Sequence, residues 1–224
     1  MKKLFSLVLC VLLGSSVLTG CSGNDEPYTE KTYTSENDQI RDVCIDVRDR
    51  IVEVTPSADG KIHIDYFDNS KETYNISISE DHVLTMTAVS HKEWTDYIGG
   101  QVPADARKIS VQLPDALLDN LSISTTNEDI TVTTLTLNGH VSLNTNGGNL
   151  SFHELAAGKD IALDVKNGNI SGTISGSYDD YAISCNVKKG ESNLPTNKEG
   201  GSQKLTVTAN NGDVAVDIGK SRDS

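Results

Sequence analysis

The chain of 224 residues carries 32 acidic side chains against 19 lysines and arginines, a formal net charge of −13. A surface that acidic is repelled by nucleic acid and by anionic lipid headgroups, which excludes both as partners held by charge.

Lys2-Lys3 form a short basic region, and the stretch from Leu4 to Val17 is mostly apolar but too short to span a membrane as a mature helix. It ends in Leu18-Thr19-Gly20-Cys21, which resembles the lipobox of bacterial lipoproteins. That resemblance implies a signal peptide over residues 1–20, cleavage before Cys21, and diacylglycerol and palmitate chains on the mature N-terminal cysteine. Each buried methylene contributes roughly 0.8 kcal/mol, so a multiply acylated cysteine holds a protein on a membrane without spanning it. Losing Lys2 and Lys3 takes the net charge from −13 to −15. Residues 21–39 are polar, acidic and poor in aliphatics, the composition of a disordered tether. The expected location is the cell envelope, on the outer face of the cytoplasmic membrane or on the outer membrane.

Residues 40–118 read as an N-terminal β region of irregular coils or a cap, with strands expected near 43–54, 61–66, 74–79, 83–89 and 108–113. Strand alternation faces Cys44 outward, between Val43 and Ile45, and Cys185 inward, with Ile183 and Val187. Opposite faces argue against a disulfide, leaving two free thiols. The segment "SHKEWTDYIGGQVPADARK", 90–108, interrupts the strand series and holds the single tryptophan, Trp94, with Tyr97. It reads either as a binding loop with aromatic anchors or as a cap on an open core.

From Leu121 the chain aligns on itself with a shift of twenty. Ile123, Leu143 and Leu163 coincide, as do Ile130, Leu150 and Ile170, with Asp129, Asn149 and Asn169 ahead of the second set. After Gly176–Tyr181 the pattern resumes from Ile183 and again from Leu205, and a fainter copy occupies Val43–Val54. Asn146-Gly147 alone is a hairpin signal. Constant spacing favours a solenoid, in which residues i and i+20 become parallel neighbours about 4.8 Å apart and the corners need positive φ. No segment carries a sustained helical period. The expected fold is all-β: a single-stranded parallel β-solenoid of about 20 residues per coil, with regular repeats over 119–219 and a charged tail over 220–224.

The repeated corners Thr145-Asn146-Gly147-Gly148-Asn149-Leu150, Lys166-Asn167-Gly168-Asn169-Ile170 and Asn211-Gly212-Asp213-Val214 fit a T-x-N-G-D/N-apolar motif. With the strands Val52-Glu53-Val54-Thr55-Pro56 and Val111-Gln112-Leu113-Pro114, they resemble a family of bacterial envelope proteins known as "putative adhesins", a domain of unknown function. Glu128 and Ser192 stand where that family has glycine. The resemblance implies a β-solenoid exposed at the envelope and supplies no catalytic residues.

The corner column of Asp129, Asn149, Asn169, Asn193 and Asp213 reads as side chains bonding their own corner backbone rather than as calcium ligands. His63, His82, His91, His140 and His153 lack metal spacing and read as isolated surface imidazoles. No cofactor is called for. Asp179-Asp180, flanked by Tyr178 and Tyr181, is the best acidic-aromatic cluster. The functional expectation is a lipid-anchored, non-catalytic, adhesin-like surface protein binding a glycan or an envelope protein through Trp94, Tyr97, Tyr178 or Tyr181. An accessory or sensor of an envelope-stress system is the alternative, and a polysaccharide-active β-helix enzyme stands third.

Overall fold

The structure, a computed structural model, describes residues 27–36, 39–91 and 102–219. Apolar and polar residues alternate along its strands, so each buries one face and wets the other. In β8 (Asn120–Thr125), Leu121 and Ile123 are buried while Ser122 between them is exposed. The same alternation turns Val141 and Leu143 inward in β10 (His140–Thr145), and Ile161, Leu163 and Val165 inward in β12 (Asp160–Asn167). The three strands pair in parallel, with Leu143 between Ile123 and Leu163. After each, the chain turns and adds a strand to an opposing sheet: β9 (Ile130–Leu137), β11 (Leu150–Ala157) and β13 (Ile170–Ile174). These are also parallel, with Leu150 between Ile130 and Ile170. Asn146-Gly147 is therefore a corner between two sheets and not a hairpin tip.

The faint early copy stacks in the same register. In β2 (Asp42–Asp46), Ile45 pairs with Ile123, and in β3 (Ile51–Pro56), Val52 pairs with Ile130. The order of coils departs from the sequence reading, which stacks each coil on the one before it. β6 (Val83–Ser90) and β7 (Lys108–Leu113) lie outside β2 and β3, although they follow them in the chain. The far end repeats this. β16 (Gln203–Asn211) and β17 (Val214–Ile218) stack directly on β12 and β13, pairing Leu163 with Val207 and Ile170 with Val214. β14 (Tyr181–Lys189) lies outside β16. A parallel neighbour needs matching faces and register, not adjacency in sequence, and a long connection lets the chain skip a rung.

Antiparallel strands finish the ends: β4 (His63–Asp68) on β7, β1 (Thr29–Thr34) on β4, β5 (Glu72–Ile78) on β6, and β15 (Asn197–Lys198) on β14. The result is two facing sheets of eight and nine strands over one continuous apolar core. Within the segment expected as a disordered tether over 21–39, Thr29–Thr34 form β1, with Tyr33 buried against that core. Cys44 is half-buried and Cys185 buried, and both are free. Among the described residues no helix is long and apolar enough to cross a membrane.

Corner chemistry also differs from expectation. The oxygens of Asp129, Asn149, Asn169 and Asp213 each accept from a backbone N–H of the neighbouring coil, not of their own. Asn149 N donates to Asp129 Oδ1 (2.7 Å), Asn169 N to Asn149 Oδ1, Asp213 N to Asn169 Oδ1 and Glu191 N to Asp213 Oδ1, the last three at 2.9 Å. At a corner the N–H leaves the sheet ladder, and a short side chain on the next rung supplies its acceptor. Asn193 stands apart and bonds β17. Positive φ is not shared by every corner: Gly168 and Gly212 have it (154° and 147°), whereas Gly147 and Gly148 do not. Gly148 is required by close approach, since a Cβ there would fall 2.0 Å from the Glu128 carbonyl oxygen.

Candidate functional site: a charged cleft beside Arg50

Arg50 precedes Val52 by two residues, the corner level that Gly148 and Gly168 occupy ahead of Leu150 and Ile170. A long cation thus stands where three of the regular coils have glycine (Gly148, Gly168 and Gly212) and the fourth has Glu128, and its side chain is only 3% exposed. Burial of a charge demands partners. Arg50 Nε donates to Tyr74 Oη at 2.6 Å, Nη1 donates to the carbonyl of Asp49 at 3.0 Å, and Nη2 lies 3.2 Å from Glu72 Oε2. Tyr28 Oη donates to the same Glu72 carboxylate, tying the chain ahead of β1 to this cluster. Tyr66 packs edge-on against Tyr74, ring centroids 5.2 Å apart.

The electrostatics follow from the burial. Desolvation raises the phenols of Tyr28, Tyr66 and Tyr74; Tyr66, beside Asp68, is pushed up to about 12. Burial alone would lower the Arg50 guanidinium, but Tyr74 and Glu72 outweigh it and its affinity for the proton rises.

Beside this cluster an open cleft of about 420 Å³ lies between the 46–50 corner and the ends of β5 and β6. Asp46, Arg48, Asp49, Thr87 and Ser90 line it, with Glu72 and Tyr74 forming one wall. Asp49 Oδ1 accepts from Thr126 Oγ1 and Asn127 Nδ2 (2.9 and 2.6 Å), which anchors that rim. Arg48 is exposed at the cleft. Fixed donors and acceptors of both signs, on a corner held by a buried ion pair, suit recognition of a polar, uncharged or zwitterionic group.

Of the residues singled out by sequence, Cys21, Trp94 and Tyr97 lie outside the described residues. Tyr178 is exposed, with Lys198 Nζ 4.9 Å above its ring. Tyr181 is a correction: it opens β14, is 1% exposed and donates from Oη to the Ser175 carbonyl, so it is a core residue and not a partner anchor. His63 and His140 are not isolated, each meeting a carboxylate at 2.9 Å (Asp59 and Asp160). Glu128, at a glycine position, pairs with Arg107. No group of three or more His, Cys, Asp or Glu able to hold a metal occurs among the described residues. The Arg50 cluster was visible in sequence only as a cation replacing the usual corner residues.

The family model described as Toastrack DUF4097 matches residues 40–224. No curated protein matches the chain. Among solved structures, a "putative cell adhesion protein" from Clostridium sporogenes aligns over 85% of this chain and 99% of its own, with a TM-score of 0.57 at 9% identity. A "putative adhesin" from Bacteroides fragilis aligns over 84% and 96%, with a TM-score of 0.41 at 13% identity. The first shares the fold.

Proposed function

The chain belongs to the Toastrack DUF4097 family, and on that premise we propose that it is a lipid-anchored, non-catalytic binding protein of the bacterial cell surface. Its repeating unit is a coil of about twenty residues, and stacked coils make a rigid post that carries a binding site away from the membrane. Cys21 is the anchor, and the partner is a glycan or an envelope protein. The observation that carries this reading is the cleft at Asp46, Arg48 and Asp49, fixed by the buried Arg50–Glu72 pair. The name of the Clostridium sporogenes structure points the same way. Trp94, Tyr97 and Tyr178 are the aromatic candidates for further contact.

Cell fractionation and an envelope pull-down with a parallel glycan array test the two halves together. The wild-type protein is expected in the membrane fraction, and Cys21→Ala in the soluble fraction; membrane retention of the variant overturns the anchor. Arg48→Ala is expected to reduce capture at least tenfold with unchanged folding, and Trp94→Ala is measured beside it. Capture that survives both substitutions overturns the binding assignment.

A further inference from the structure

Two facing sheets have four outer edges, each a row of unpaired N–H and C=O groups that invites another strand. Three of these edges carry a block. On β17, the Asn193 side chain accepts from Val216 N (2.9 Å) and donates to Val216 O (3.0 Å), and Val214 N donates to Glu191 O (2.8 Å). β14 is covered by β15 and by Thr196, whose carbonyl accepts from Cys185 N at 3.0 Å. β1 places Glu30 and Lys31 on its edge, the kind of charge that opposes pairing. The fourth edge, β5, is covered by no described residue and carries charge only at its first position, Glu72; 73–79 reads TYNISIS, with no charge, proline or glycine.

The free groups on β5 can be assigned by parity. Ser79 N donates to Val83 O, so residues 73, 75 and 77 face β6 with their backbone bonds. Tyr74, Ile76 and Ile78 then direct N–H and C=O outward, where no described residue meets them. Those three positions are self-complementary. An antiparallel second copy centred on Ile76 sets Ile76 opposite Ile76 and Tyr74 opposite Ile78, each pair exchanging both N–H···O bonds. The side chains agree, since Ile78 is 44% exposed and Ile76 only partly buried. Charge favours a copy here over any other surface, because the chain repels itself at −13 and this stretch is neutral. At the flank the register sets Glu72 opposite Glu80 of the second copy, and Arg50, 3.2 Å from Glu72, offsets that repulsion, while Lys71 faces Asp81.

We propose that β5 is the interface of a two-fold homodimer in which two copies join antiparallel across Ile76 into one continuous sheet. This pairing closes the open edge and is isologous, so it stops at two copies. It does not depend on the cleft or on the lipid anchor.

Sedimentation velocity on the full chain in detergent tests it. Dimers are expected for the wild type, and Ile78→Pro is expected to weaken association at least tenfold. Proline there removes an outward N–H and leaves the bonds to β6 in place, so the melting curve should stay close to wild type. Ile78→Lys, which adds charge at the edge, should act alike. In the proposed register Asn75 faces Ser77 of the second copy in a non-hydrogen-bonded pair, close enough for a disulfide. Asn75→Cys/Ser77→Cys should therefore form a disulfide-linked dimer that the wild type does not. A wild type that is monomeric at every concentration, or a dimer that persists in Ile78→Pro, overturns the proposal.

Discussion

Gly148 has the backbone of its neighbour where a side chain would be: the Glu128 carbonyl oxygen lies 2.0 Å from the position of an added Cβ. Nothing flexible stands there to move aside. Gly148→Ala must push two corners apart, and a destabilisation of roughly 1–3 kcal/mol is expected, the range for overpacking a dense site. A urea titration reads it as a lower midpoint at constant slope. Ser142→Ala, on the exposed face of β10, should move the midpoint little. A Gly148→Ala midpoint equal to wild type would contradict the close approach. The recurrence of glycine at the corners is legible in the sequence, but the reason for it is not. The same spacing serves a residue that needs positive φ, as Gly168 does, and one that needs room, as Gly148 does. Arg50 is the harder case. Its departure from the corner pattern is visible, yet its partners Glu72 and Tyr74 come from a strand that pairs nowhere near β3, and Tyr28 from ahead of β1.

At the level of strands, the burial pattern reproduces the inward and outward faces that alternation predicts, because a parallel ladder carries each face straight on to the next rung. Edges are another matter. Asn193 belongs by sequence to the corner column, but it serves as a one-residue strand on Val216. Asn193→Ala removes both side-chain bonds to Val216 and re-opens the β17 edge there, leaving the backbone bonds at Val214 in place. About 0.5–1.5 kcal/mol per lost bond is expected, together with concentration-dependent aggregation by light scattering. A variant as stable and as soluble as wild type would show that β17 has other protection. Tyr181 makes the related point: its proximity to Tyr178 and Asp179 in sequence suggests a surface cluster, while the start of β14 turns it into the core.

Among the described residues five phenols are raised, chiefly by burial: Tyr28, Tyr33, Tyr66 and Tyr74 in the N-terminal part of the chain, and Tyr181 at the start of β14. Their folded-state affinities for the proton lie above the unfolded value of about 10. The stability they support is fully present below that pH and is lost as pH climbs towards the folded value, about 12 for Tyr66. Unfolding midpoints should therefore hold steady up to about pH 10 and fall from there to about pH 12, in step with tyrosinate absorbance. A midpoint unchanged across that window would mean the phenols are not buried as described. By itself the sequence determined the all-β class, the inward residues and the pairing of residues twenty apart from Leu121 to Gly172. Those follow from local rules, since alternation fixes the face and equal connections fix the neighbour. The tertiary structure alone decided the order of coils at both ends, the blocking of three edges and the Arg50 cleft. A long connection leaves several matching rungs open to the same strand, and only the packed molecule selects one.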